Sequence, residues 1–338
     1  MENENQKKYY RPVTNLLVFS VVLVIILFYF VGPKTSLSSK TNTFGQEKVA
    51  VSDLEKKVLP TEGVTLPVIW GDLGSKLVDA GVIDATKFKA LYEQKGTFTD
   101  EYKNLLLGQD NGKIKITNEN AGYILNLFWA FGLANKNPIL ETGEMSDPRY
   151  DGAENFASTG GWTIAKGNVM DHYSKHKLIN LTPQQQALVD KVSRGIFRPC
   201  CGNSTHFPDC NHGMAMLGLL ELMASQGISE QDMWSTALAV NAYWFPNNYL
   251  TIATYMKDKG VDWRDVKPQE MLGFDYSSSQ GYAKIASQVV SSPAQRSGNG
   301  CGLDLGGAVS PPARSGSGCG LDSGGAVPPP RQQNSCGL

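Results

Sequence analysis

The chain has 338 residues, enough for one large domain or two small ones. Its 31 basic and 32 acidic side chains leave a net charge of −1, so there is no global basic field and no reason to expect nucleic acid as a partner. Six cysteines in a chain this long exclude a disulfide-dense scaffold.

Leu16 to Gly32 reads LLVFSVVLVIILFYFVG without a charge, and Lys7, Lys8 and Arg11 precede it. The run exceeds the ~7–15 residues of a signal-peptide core and reaches the lower limit for a spanning helix. Residues 1–12 are therefore expected in the cytoplasm, 13–32 as a transmembrane signal anchor, and everything beyond on the far side of the cell membrane. A cleaved signal is the rival, since Ser36-Leu37-Ser38 has the small-x-small form; it exports the body equally. Residues 33–65 are polar and mixed in charge, and are expected to be a linker, with Val49-Ala50-Val51 and Val58-Leu59 as patches that dock on the body.

Residues 66–290 are expected to form one mainly α domain. Leu73, Leu77, Val78 and Val82 follow helical spacing. Phe88, Leu91 and Tyr92 predict a second short helix, and Tyr102 with Leu105 to Leu107 a third. Asp110-Asn111-Gly112 predicts a turn, and Lys113 to Thr117 alternates like a strand. Asn120 to Ala134 is almost wholly apolar but short, with Asn126 in its middle, so it predicts a buried core helix rather than a second span.

Asn135 to Gly167 is rich in Gly, Pro and Asp and predicts a surface loop. Its acids Asp147, Asp151 and Glu154 match no EF-hand spacing. His172 and His176 follow at i and i+4 and read first as ordinary surface histidines; on a helix the two rings would share a face, which makes them secondary metal-ligand candidates. Tyr173 stands where a zinc-protease motif needs glutamate, so that activity is unsupported. Thr182, Pro183 and Gln185 form a capping-box start for a helix running to about Gly195.

That helix leads to the densest chemistry in the chain. Cys200, Cys201, His206, Cys210 and His212 lie within thirteen positions, in a loop tightened by Pro199, Gly202 and Pro208. Met214 to Met223 then predicts a buried helix, capped by Asp209 or Asn211, at whose N-terminus a thiolate such as Cys210 is favoured. Three chemistries remain open. The five residues suit copper or zinc, with Met214 and Met216 as secondary thioether candidates. Cys210 with Cys200 or Cys201 suits a redox-active disulfide, and hence a thiol-exchange or metal-exchange partner protein. A purely structural bridge, in a cell-envelope interaction protein, is the third.

The order Pro199-Cys200-Cys201-Gly202, His206, Asp209-Cys210, a helix, then Gly227-Ile228-Ser229-Glu230 resembles the exported PCYCGC-motif proteins and the cytochrome-c-maturation thiol oxidoreductases of the CcmH type. The resemblance spans about residues 198–245. It implies an exported cysteine module of metal or redox type, although Cys-x-x-Cys is absent here.

Ser229 predicts a further helix start, and Phe245-Pro246 a break before a helix over Tyr249 to Lys257. Residues 291–338 change composition. Arg296-Ser-Gly-Asn-Gly-Cys301-Gly-Leu-Asp recurs as Arg314-Ser-Gly-Ser-Gly-Cys319-Gly-Leu-Asp, and the chain closes on Ser335-Cys336-Gly337-Leu338. Gly, Ser and Pro dominate, so a disordered repeat tail is expected, its thiols Cys301, Cys319 and Cys336 forming a tethered set of soft ligands. No catalytic triad, phosphate loop or paired-acid motif argues for a hydrolase or kinase, and a binding role is expected ahead of an enzymatic one.

Overall fold

The computed structural model describes residues 52–289. The expected anchor at 13–32, the Val49-Ala50-Val51 patch and the repeat tail with Cys301, Cys319 and Cys336 lie outside the described residues. Among the described residues no helix is long and apolar enough to cross a membrane.

The body is mainly helical, with one two-stranded sheet. It begins earlier than the linker boundary at residue 65 implied. Helix α1 (Asp53–Val58) starts at an N-cap from Ser52, and Val58 and Leu59 are buried in the core. Strand β1 (Val64–Gly71) was not expected. It buries Leu66, Val68 and Trp70 and turns Thr65 and Ile69 outward, the period of two that a half-buried strand requires. It pairs antiparallel with β2 (Asn111–Ile116), from Val64 opposite Ile116 to Gly71 opposite Asn111. The register slips between Thr65 and Ile69, where Pro67 has no N–H to give. Ile69 instead uses its backbone on the side chain of Gln226, whose amide accepts from its N–H at 2.8 Å and donates to its carbonyl at 2.7 Å.

Between the strands lie α2 (Leu73–Asp79), α3 (Ala85–Glu93) and α4 (Asp100–Leu107), close to where the periodicity put them. Asp84 and Thr99 cap α3 and α4 through their side chains. Helix α5 (Ala121–Ala134) is buried on every side, as its composition predicts. Its one polar interior residue, Asn126, is satisfied by donating to the Tyr92 hydroxyl at 2.7 Å.

Helix α6 (Pro138–Thr142) opens the irregular stretch to residue 179, which holds only short 3₁₀ turns. This stretch is not a solvent-laid loop. Met145, Phe156, Trp162 and Ile164 are buried, and the Trp162 indole donates to the Val82 carbonyl at 2.7 Å. Its acids behave as solvated groups: Asp151 and Glu154 are exposed, and Asp147 pairs with Arg149. Helix α7 (Pro183–Gly195) begins at the expected capping box of Thr182 and Gln185.

Helix α8 (Asn211–Ser225) packs along α5 as the centre of the core. The two backbones nearly touch. A Cβ on Gly132 would lie 2.2 Å from the Met214 carbonyl oxygen, and one on Gly218 would lie 2.6 Å from that of Phe128. Neither obstacle is a movable side chain, so Gly132→Ala is expected to destabilise the fold by about 1–3 kcal/mol, read from its denaturant midpoint. The same helix carries a buried carboxyl, Glu221. Its Oε2 accepts from the Asn135 amide at 2.8 Å and its Oε1 from that of Asn137. These bonds tie the irregular stretch to the core.

The chain finishes with α9 (Glu230–Trp244), capped by Ser229, then α10 (Pro246–Asp258) after the break at Phe245. Short helices α11 (Pro268–Met271), α12 (Phe274–Ser277) and α13 (Ser279–Ala286) follow.

Candidate metal centre

The cysteine loop runs from α7 to α8 and is held at both ends. Phe197 donates its N–H to the Leu272 carbonyl at 2.8 Å, and Ser279 donates to the carbonyl of Cys201 at 2.9 Å. Thr205 and His206 donate back to Ile196 and Ser193, folding the loop against the end of α7. Ser158, from the irregular stretch, donates to the Asp209 carbonyl at 3.2 Å. The N-cap of α8 is Cys210, not Asp209 or Asn211: its Sγ accepts from the Gly213 N–H at 3.5 Å.

Three sulfurs converge. Cys200 and Cys210 Sγ are 3.7 Å apart, and Cys201 Sγ lies 4.0 Å from each of them. A bonded disulfide would need about 2.05 Å, so no bridge joins the three to one another. The triangle is nearly equilateral, and its centre lies about 2.3 Å from each sulfur, the length of a zinc–thiolate bond. Among the described residues this is the only group of three or more Cys, His, Asp or Glu ligand atoms that lie together. His212, in the first turn of α8, has Nδ1 4.0 Å from the Cys200 sulfur. Its ring leans on Phe245 and Trp244, with centroids 4.3 and 6.1 Å away, which fixes its plane beside the triangle.

Beneath the sulfurs lies Arg198, only 1% exposed. Its Nε donates to the Cys210 sulfur at 3.1 Å, Nη1 to the Asn203 carbonyl at 2.8 Å, and Nη2 to the Phe207 carbonyl at 3.2 Å and to Asp209. Asn203 donates its side-chain amide to the other oxygen of Asp209 at 2.7 Å. A guanidinium is always charged, so its burial demands anions, and Cys210 and Asp209 provide them. Gly213 makes room for it, since a Cβ there would meet Nη2 at 2.5 Å.

The electrostatics separate the thiols. Hydrogen bonds from Cys200 and then Cys201, helped by the Arg198 charge and by His212, draw the Cys210 thiol well below the usual range despite its burial. Cys201 moves the other way. Its hydrogen bond with Cys200 would lower it, but its bond to Cys210, burial and the Cys210 charge together push it up. Burial raises the Asp209 carboxyl, with Arg198 pulling against it. Of Cys201 and Cys210, the thiol that Arg198 contacts is therefore the more easily ionised.

In comparisons with family models, curated proteins and solved structures, nothing matches this chain. The site therefore stands on its own geometry.

Of the five residues expected together, four are near one another and His206 is elsewhere. Its Nδ1 lies 2.7 Å from Glu144, and its Nε2 lies 2.8 Å from Asp190 and 2.7 Å from Arg194. With both nitrogens engaged, His206 is a strap holding the cysteine loop to α7 and to the stretch after α6. It also borders a groove of about 480 Å³ formed with Pro138, Ile139, Pro183 and Gln186. Met214 and Met216 are fully buried in α8. His172 and His176 do touch each other, but not on a helix: a 3₁₀ turn ends at Asp171 and Ser174 takes a left-handed φ of 53°.

Sequence reasoning missed the role of Arg198. A signal existed, because Arg198 and Asp209 are the only Lys, Arg, Asp or Glu residues between Arg194 and Glu221. An isolated pair of opposite charges bracketing a cysteine loop marks a buried ion pair built around it.

Proposed function

We propose that this chain is a membrane-tethered, extracytoplasmic metal-binding protein that handles a soft or borderline ion, copper(I) or zinc. The observation that carries the proposal is the sulfur triangle, whose size fits one ion bonded to Cys200, Cys201 and Cys210. Three thiolates alone suit copper(I); His212 moving onto the ion would complete the four-coordinate set that zinc prefers. Arg198 balances the negative charge that three thiolates bring. It also orients Cys210, the part that groups just outside a coordination sphere play in tuning an ion. All three cysteine residues are half-buried, so the site lies near the surface rather than in the centre of the core.

The tether is the apolar run at 13–32, and its basic flank at Lys7, Lys8 and Arg11 sets the orientation. In this reading Cys301, Cys319 and Cys336 of the tail are a second set of thiols on the same chain, raising the local concentration of ligand for loading or transfer to a metal-accepting partner protein. A thiol–disulfide role is the second reading, favoured by the acidic Cys210 thiol 3.7 Å from Cys200.

The test is elemental analysis and thiol counting on the full chain, extracted in detergent without oxygen. Stoichiometric copper or zinc is expected. A metal-free protein in which two of the three loop cysteines form a reducible bridge would replace this reading with the redox one. An inert bridge would leave only a structural role.

A further inference from the structure

His172 and His176 meet in an arrangement unlike that of any other histidine in the body. His172 Nδ1 and His176 Nε2 are 3.0 Å apart, with the ring planes inclined by only 23°. The centroids are 5.3 Å apart, close to the nitrogen–nitrogen distance plus two ring radii. The rings therefore lie end to end, nitrogen facing nitrogen, rather than face on face.

Three observations set this pair apart from a chance contact. The other nitrogen of His172, Nε2, is 2.9 Å from the Lys166 carbonyl, which can only accept. That bond puts the proton of neutral His172 on Nε2 and leaves Nδ1 as a lone pair aimed at His176, the orienting bond that ligand histidines characteristically make. Among the described residues no carboxylate bonds either ring, whereas His206 has one at each nitrogen. The backbone is also bent to produce the meeting. Ser174 is buried with φ at +53°, a conformation costly for a non-glycine residue, and it donates its N–H to the Leu133 carbonyl. His176 is fixed at the end of α5, donating to the Ala134 carbonyl at 2.9 Å and accepting from the Lys136 N–H at 2.8 Å. One ring is buried and locked; the other is half-buried and open to solvent.

We propose that His172 Nδ1 and His176 Nε2 form a second metal site, a two-nitrogen clamp for a soft monovalent cation such as copper(I), separate from the thiolate centre. Opposed lone pairs favour linear two-coordination. With metal–nitrogen bonds of about 2 Å the nitrogens must separate to about 4 Å, which an outward turn of the half-buried His176 ring provides. The balance is simple. The cation takes one lone pair from each ring, and the proton on His176 Nε2 moves to its own Nδ1, so none is released overall.

The test uses silver(I), a redox-silent probe, on the full chain in detergent with all six cysteines changed to serine. One silver ion bound through nitrogen alone, seen by X-ray absorption, is expected, with affinity falling at least tenfold in His176→Gln and again in the double His172→Gln, His176→Gln variant. Binding no tighter than that of the double variant would overturn the proposal and leave the pair as a hydrogen bond. If the cysteine-free chain does not fold, the unaltered chain is treated with excess silver and its imidazoles are acylated. Protection of His176, read by mass spectrometry, is expected; an unchanged labelling rate overturns the site.

Discussion

Replacing Cys210 by serine is expected to drop bound metal from stoichiometric to background while leaving the fold in place. Cys210 touches everything that defines the centre: both other sulfurs, the Arg198 guanidinium and the first turn of α8. A serine there keeps the helix cap, because its hydroxyl is a better acceptor for the Gly213 N–H than sulfur is. It cannot provide a thiolate, so the triangle loses a corner and the negative charge that faces Arg198. The metal-free variant is expected to be about 1–3 kcal/mol less stable than the metal-free parent, because the buried Arg198 loses one anionic partner and keeps Asp209. The holo proteins should differ by far more, since stabilisation by a tightly bound ion grows with its concentration over its dissociation constant. Elemental analysis alongside paired denaturant curves, with and without added metal, separates lost ligand from lost fold. A variant that still binds a full equivalent would remove Cys210 from the coordination sphere.

The second large effect comes from Glu221, far along the same helix from the cysteines. Burial raises its carboxyl from 4.5 to about 8, against the pull of the Asn135 and Asn137 amides. The sign follows from proton binding. Below pH 4.5 the carboxyl is protonated in both folded and unfolded chains. Between 4.5 and about 8 the unfolded chain releases its proton and the folded one retains it. Folded stability is therefore expected to fall as pH rises through that window, and to level off above it. At about 1.4 kcal/mol per unit the decline amounts to several kcal/mol. Glu221→Gln removes the titration but leaves one asparagine N–H facing another amide N–H, a constant loss of about 1–3 kcal/mol. The two stability curves should cross, the parent being more stable below pH 5 and the variant above pH 8. Denaturant midpoints across that range decide it, and parallel curves would mean that Glu221 is already ionised when folded.

The helices were legible because their signals are local. Thr182 with Gln185, and Ser229, announce starts that the structure keeps, and the apolar block at 120–134, too short for a second span and interrupted by Asn126, forms the expected buried helix. Strand β1 was illegible because Pro67 interrupts it and its partner lies some forty residues on, so only tertiary pairing makes it a strand. The helix on which the two histidines would have shared a face does not form, for a similar reason. Backbone bonds from Ser174 and His176 to the end of α5 outcompete the turn that helical spacing suggested. The converging cysteines were readable from clustering, but their sorting was not. His206 is drawn away by Glu144, sixty-two residues upstream, and by Asp190, sixteen upstream. Asp209 was expected as a cap and is taken instead by Arg198, so the cap falls to its neighbour Cys210.

The amide of Gln226 that closes on Ile69 also bears on how neighbouring copies behave. A two-stranded ribbon with an outward isoleucine, 54% exposed, is an open invitation to intermolecular strand pairing. By occupying both backbone groups of Ile69, the glutamine acts as a stopper at the point where a foreign strand would seek its first pair of bonds. A single side chain, supplied from just beyond the end of α8, thus closes the one edge position of β1 that carries an exposed isoleucine.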